Sequence, residues 1–375
     1  MALLLSECFP DQHGYLMNTY CAIGLMSGSS LDGLDIAMVE LVEDQGRWTY
    51  TWIAAECIPY TPEWMHSLSH ARELDLCGFL RLHTAYGHFL GKQVAGFLNR
   101  HPNKEPIDFI ASHGHTIYHD PEQGTSFQLG DGAAIARETG LSVISDLRNM
   151  DIAYGGQGAP IVPMGDQCLF PDYHFWLNLG GIANMTFREY RHWRAFDIAA
   201  CNQVLNALAK ELGQEYDDGG NLAASGKNST ALLEALNDLD YYKKPLPKSL
   251  DNSFTSLELL PLFKDFDIPV VDQLHTYVTH VVQQISDCLT TANHHQRLLA
   301  TGGGALNNYL IARLSAELRQ KDIEVVVPDL QTIQFKEALI MALLGALRIQ
   351  GKPGVLCSVT GAVQDSIAGA LWLGN

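Results

Sequence analysis

The sequence predicts an α/β protein built from two related domains, and three observations lead there. At 375 residues the chain exceeds what one hydrophobic core usually serves. Two segments, one starting near residue 22 and the other at Phe175, each open with three strands folded around a glycine-rich turn. Each then continues into helices alternating with short apolar strands. No sequence repeat accompanies this, so an architecture is duplicated without its residues.

Residues 22–25, 34–41 and 48–55 read as antiparallel strands. Between the first two lies GSSLDG, where an apolar run stops at Ser27-Gly28-Ser29-Ser30 and Asp32-Gly33 supplies the positive φ angles of a tight hairpin turn. Residues 62–72 and 79–98 read as helices, the second from Leu80, Thr84, Phe89-Leu90 and Phe97 at helical spacing. Strand 107–110 runs into SHGHTIYHDP, 127–129 is a short strand before GDG, 133–137 opens a helix, and 142–145 is another strand. The first half thus reads β-β-β-α-β-β-α-β. In the second half, FWLNLGGIANMTF reads as two strands folded at Gly180-Gly181, with 193–198 as a third. Helices follow at 203–212, 229–236 and 271–289. Strand 298–300 then runs into TGGGALNN, followed by helix 309–318, strand 323–327 and helix 337–348. The division falls near 142–146. It assigns 17–142 with a C-terminal helix at about 360–375 to domain I, 143–359 to domain II, and 1–16 to an N-terminal extension.

A net charge of −18 argues against a nucleic-acid partner, which needs a basic face. No apolar run reads as long enough to span a membrane. The first residues lack a basic n-region, so a signal peptide is not expected. Eight scattered cysteines without a C-x-x-C pair suit reduced thiols in a cytoplasm.

No G-x-x-x-x-G-K-[ST] loop occurs. A phosphate can also be cradled by the N–H groups of a β-hairpin turn, where glycine permits close approach. GSSLDG is such a turn or simply a hairpin; in the first case Asp32 could hold Mg²⁺, which keeps several waters. LNLGGIAN is a second candidate of the same kind, with Asn184 beyond the glycines. The glycines of TGGGALNN either admit a flat base or make a tight strand-to-helix turn. On an extended strand His113 and His115 face the same way, as zinc ligands or as polar substrate contacts. ISDLRNMDIAYGGQGAP gathers Asp146, Arg148, Asp151 and Gln157 at the domain boundary, where clefts form. Arg148 and Gln157 suit the carboxylate and hydroxyls of a sugar acid. Asp197 ends an apolar strand just before a helix, as a general base or as a helix cap.

Taken together, GLMSGSSLDGLDIA, SHGHTIYHDP, QLGDGAAIA, DLRNMDIAYGGQGAPIVP, LNLGGIANMT, ATGGGALN and SVTGA resemble the anhydro-N-acetylmuramic acid kinases, in order, from about Gly24 to Ala362. The resemblance implies two ribonuclease-H-like domains of the actin-like ATPase superfamily with an interdomain cleft. It also implies ATP and Mg²⁺ as cofactors, a homodimer in some members, and phosphorylation of the sugar's 6-oxygen coupled to hydrolytic opening of its 1,6-anhydro ring. By matching motifs, Gly28, Ser29, Ser30 and Gly33 would meet the phosphates, with Asp32 in the metal region. Gly180, Gly181 and Asn184 would form the second phosphate hairpin, and Gly302, Gly303 and Gly304 would face the adenosine. His113, Gly114, His115, Arg148, Gln157 and Ala159 would line the sugar side, and Asp197 would match the base. This chain reads FDIAACN where the family reads FDTGPGN, SHGHT for SHGQT, and DLR for DFR. The first change leaves two alternatives beside the kinase: a nucleotide-binding homologue without chemistry, or a kinase for another sugar.

Overall fold

A computed structural model describes residues 17–28, 31–189, 192–289 and 294–375. Ser29, Ser30 and the expected extension 1–16 lie outside the described residues.

The first sheet contains β1 (Asn18–Ser27), β2 (Gly33–Asp44), β3 (Arg47–Pro59), β4 (Phe109–Asp120), β5 (Thr125–Leu129) and β6 (Val143–Ser145). The second contains β7 (Phe175–Leu179), β8 (Ile182–Glu189), β9 (His192–Ala200), β10 (Gln296–Thr301) and β11 (Ile323–Val326), and β12 (Ala370–Trp372) returns to the first. The strand order is β12-β6-β4-β1-β2-β3 in one sheet and β11-β10-β7-β8-β9 in the other. In both, three antiparallel strands are extended by two parallel ones, β4 and β6 or β10 and β11. The two halves therefore share order and polarity, which is the duplication that strand counting suggested.

Alternation along the strands divides the interior into three cores. On β1, Ile23 and Leu25 face the core under the helix Leu76–Arg100, while Ala22 faces the layer between the sheets. On β7, Phe175, Leu177 and Leu179 face the outer core of the second half and Trp176 faces the middle layer. Burial on both faces explains why these strands read as continuous apolar runs. The middle layer holds the helix Leu330–Ile349, which lies so close over β1 that a side chain at Gly24 would collide with the main chain of Ala338. By length and composition this helix could cross a membrane, a feature missed in the sequence, yet it is mostly buried and packs on β1, β2 and β4.

Several boundaries need correction. The helix beginning at 337 starts at Leu330, where the Asp329 side chain accepts the Thr332 N–H as an N-cap. β6 pairs with β4 and belongs to the first sheet, although it lies beyond 142. The expected C-terminal helix at about 360–375 does not form: the segment ends in the short strand β12, which pairs antiparallel with β6 and so finds its backbone partners there. At the first hairpin, positive φ falls on Leu31 and not on Asp32 or Gly33. Gly33 is glycine for another reason, since a Cβ there would press 2.7 Å from the Ile58 carbonyl oxygen of β3.

Candidate active site between the two sheets

A cleft of about 1760 Å³ opens between the sheets. Its lining includes Asp32, His113, Arg148, Gln157, Ala159, Gly180, Gly181, Asn184, Asp197, Gly302 and Gly303. Residues expected from separate motifs thus meet in one place. Gly28, Gly33, Gly114, His115 and Gly304 do not line it. Gly304 is buried, and a Cβ there would lie 2.8 Å from Leu179 Cβ, so it serves close packing behind the cleft.

His113 and His115 do not share a task. Gly114 adopts φ +70° between them, which breaks strand alternation. His115 turns into the core, its Nδ1 2.9 Å from Ser27 Oγ, and does not line the cleft. Burial, and then the Arg148 charge, push His113 down to about 3, so it is neutral at pH 7. With Nδ1–H donated to the Gly114 carbonyl at 2.9 Å, Nε2 accepts from Arg148 Nε at 3.0 Å and Nη2 at 2.8 Å. Arg148 Nη1 donates to the Gly158 carbonyl at 2.8 Å. Three of its five N–H groups are spent on orientation, and two remain for an anion. No set of three His, Cys, Asp or Glu side chains suited to a metal occurs among the described residues.

The second hairpin is held from behind by the helix Asn202–Glu211. The Gly181 carbonyl accepts the N–H groups of Cys201 at 2.7 Å and Gln203 at 3.2 Å, and the Gly180 carbonyl accepts that of Asn202 at 3.1 Å. These amides would otherwise be unpaired at the helix start. The departure FDIAACN sits here. Ile198, Ala199, Ala200 and Cys201 are all fully buried, and none has positive φ. The side chains that stand where the family has Thr-Gly-Pro-Gly therefore pack in the core and are not among the residues that line the cleft.

Asp197 lies on β9. The Leu250 N–H at 2.9 Å and the Ser249 hydroxyl at 3.3 Å both donate to its Oδ2, while Oδ1 accepts no hydrogen bond among the described residues. The Tyr241 hydroxyl donates to the Asp197 main-chain carbonyl at 2.8 Å. Burial raises the carboxyl above its usual range, and the two hydrogen bonds oppose that rise. Asp197 does not cap the following helix.

Further charged groups in the cleft escape the motifs, among them Asp35, Glu337, Lys336 and Asp166. Burial lifts Asp35 to about 6 against a lowering hydrogen bond from the Cys57 thiol, with Asp32 and Glu337 adding to the rise. Glu337 is also raised by burial, against the pull of Lys336 and Arg148. Lys336 Nζ sits 2.8 Å from Asp166 Oδ1, both side chains being buried. A signal for Asp35 existed: it shares a strand face with Ala37 and Val39, and a carboxylate on an apolar face is unusual. Glu337 and Lys336 lie in an apolar helix whose partner cannot be read locally.

The cleft has room for a nucleoside triphosphate. A Cβ at Gly180 or Gly303 would meet nothing nearer than 3.5 Å and 3.8 Å, ordinary van der Waals contact, so the backbone there is not tightly covered. For Mg²⁺ the donors are few, Asp32 with Asp35 beside it, which suits an ion that takes one or two carboxylates plus phosphate oxygens and water.

Two α/β halves of matching topology with glycine turns facing a shared cleft define a nucleotide-dependent phosphotransferase. The family model described as anhydro-N-acetylmuramic acid kinase matches residues 20–374. The chain belongs to that family. Two proteins named anhydro-N-acetylmuramic acid kinase are similar along nearly their whole length. The one from Synechococcus elongatus is 32% identical, covering 92% of this chain and 98% of its own. The one from Pseudomonas syringae pv. syringae is 34% identical, covering 93% and 98%. Among solved structures, an activator of 2-hydroxyisocaproyl-CoA dehydratase from Clostridium difficile with bound ADPNP overlaps 88% of this chain and 97% of its own, with 15% identity and a TM-score of 0.43.

Proposed function

We propose that this protein hydrolytically opens 1,6-anhydro-N-acetylmuramic acid and transfers the γ-phosphoryl group of ATP to O6, giving N-acetylmuramic acid 6-phosphate in the cytoplasm. The observation that carries the assignment is Asp197: one carboxylate oxygen is held from behind, and the residue lines the cleft between the glycine turns and the His113–Arg148 pair.

Asp197 Oδ1 takes a proton from water as the water oxygen bonds to the anomeric carbon. The C1–O6 bond breaks, and its electron pair goes to O6, which bonds to the γ-phosphorus as the bond from that phosphorus to the β,γ-bridging oxygen breaks and its electron pair leaves on ADP. A raised carboxyl is the stronger base, and proton transfer is most effective when its pKa approaches the working pH. Arg148, oriented by His113 and Gly158, takes the substrate carboxylate. The backbone of Gly180 and Gly181 and the Asn184 side chain hold the phosphates, with Gly302 and Gly303 against the adenosine. Asp32 would hold Mg²⁺, which when bound would offset charge on the phosphoryl group.

The test is ADP release with Mg-ATP, with and without the anhydro sugar. Release that requires the sugar is expected. Equal release in both, or release driven only by another sugar, overturns the assignment.

A further inference from the structure

The motif SVTGA has no role in the chemistry described so far, yet it touches the sugar side of the cleft from behind. Thr360 is 1% exposed and Asp151 fully buried, with no ion pair to that carboxylate among the described residues. The Thr360 hydroxyl donates to Asp151 Oδ1 at 2.7 Å, and the Gly158 N–H donates to Asp151 Oδ2 at 2.7 Å. The Thr360 carbonyl accepts the Gln157 N–H at 2.9 Å. The Asp151 carbonyl accepts the Gly156 N–H at 2.9 Å, and a side chain at Gly156 would collide with the Asp151 carboxylate. The Gln157, Gly156 and Gly158 N–H groups of this turn are thereby satisfied by Thr360, about 200 positions away, and by Asp151.

The turn is what orients the sugar side. Gln157 and Ala159 line the cleft, and the Gly158 carbonyl fixes Arg148, which grips His113. The same segment reaches the other half, where Ser358 Oγ accepts the Trp193 N–H of β9 at 3.3 Å. β9 is the strand that carries Asp197.

We infer that Thr360 is a positioning residue for sugar binding. Through Asp151 and Gln157 it sets the turn that aims Arg148 and Gln157 at the substrate. This rests on the sugar-kinase reading above. Removing the hydroxyl leaves a buried carboxylate oxygen short of a donor, a costly state that the turn relieves by moving.

The experiment compares Thr360→Val, nearly equal in shape, with Thr360→Ser, which keeps the hydroxyl. In Thr360→Val the KM for the anhydro sugar is expected to rise about tenfold or more, while kcat and the KM for ATP stay within about twofold. Thr360→Ser restores the wild-type value. Hydrogen exchange at the Gln157 and Gly158 amides is expected to quicken in Thr360→Val alone. Unchanged sugar KM and unchanged exchange overturn the inference, and so does a parallel loss for sugar and ATP, which marks general loosening. If wild type shows no sugar-dependent turnover, the kinase reading fails, and amide exchange still decides what Thr360 does. If Thr360→Val does not fold, Thr360→Cys, a weak donor of similar size, is expected to fall between wild type and full loss; wild-type sugar KM and exchange in Thr360→Cys overturn the inference.

Discussion

Asn184 on β8 and Asp197 on β9 are directly opposed partners in the antiparallel ladder, and both line the cleft. Cross-strand partners present their side chains on the same sheet face. The Gly180-Gly181 hairpin and the candidate base are therefore fixed to one ladder, with only a short bulge at Ala183–Asn184 between them. A base carried on the element that holds the phosphates keeps its distance to the transferring group when the halves move.

Asp197→Asn keeps shape and removes the base. Sugar-dependent turnover is expected to fall by about 10²–10⁴, while ATP binding measured by calorimetry stays intact. In the parent protein the acid limb of kcat/KM is expected above the ordinary aspartate range of about 4, because burial raises this carboxyl and the base must be ionised. Ser249→Ala removes a hydrogen bond that favours the ionised form, so the limb moves to higher pH. A limb that stays put in Ser249→Ala removes Ser249 from the tuning of this group.

Asp35, lifted to about 6, makes a stability prediction. The folded state holds this proton more tightly than the unfolded chain, so Asp35 lowers stability as pH rises from about 4 to 6 and the full cost persists above. Asp35→Asn is expected to raise stability by about 1–2 kcal/mol at pH 7 and by nothing below about pH 4. Urea unfolding at the two pH values reads the difference.

Lys336 and Asp166 form a buried ion pair across the helices Leu330–Ile349 and Val162–Leu169. Lys336→Met leaves the carboxylate unpaired and is expected to cost about 3–5 kcal/mol. Adding Asp166→Leu is expected to recover most of that loss, since an apolar pair of similar volume replaces both charges. Denaturant midpoints of the single and double variants check it.

At Gly303 an added methyl has room, its nearest neighbour being Asn202 Nδ2 at 3.8 Å, and the residue lines the cleft where the proposed function sets the adenosine. Gly303→Ala is expected to keep the melting temperature and raise the KM for ATP severalfold, with sugar binding unaffected. A matching rise for the sugar would move Gly303 out of the adenosine wall.

The local record was informative where local physics decides. Glycine turns between alternating strands, amphipathic spacing in the helices, and an aspartate at a strand end depend on near neighbours in the chain. They led to the strand sequence of both halves and to Asp32, Asp197, Gly180, Gly181, Arg148 and His113, all of which meet in the cleft. His115 was misplaced because strand alternation was assumed across Gly114, and φ +70° there is a choice glycine leaves open. The first turn was misread for a similar reason, its left-handed residue being Leu31.

The sequence alone determined the family and the duplicated architecture, since both rest on periodicities and motifs that each segment carries in itself. Only the tertiary structure decided which sheet owns β6, β12 and the helix Leu330–Ile349. It alone joined Lys336 to Asp166, 170 positions apart, and Thr360 to Asp151, 209 apart. A side chain's period tells which way it faces along its own element. It says nothing of what the chain brings against that face later, and burial, ion pairing and pKa all depend on that second surface.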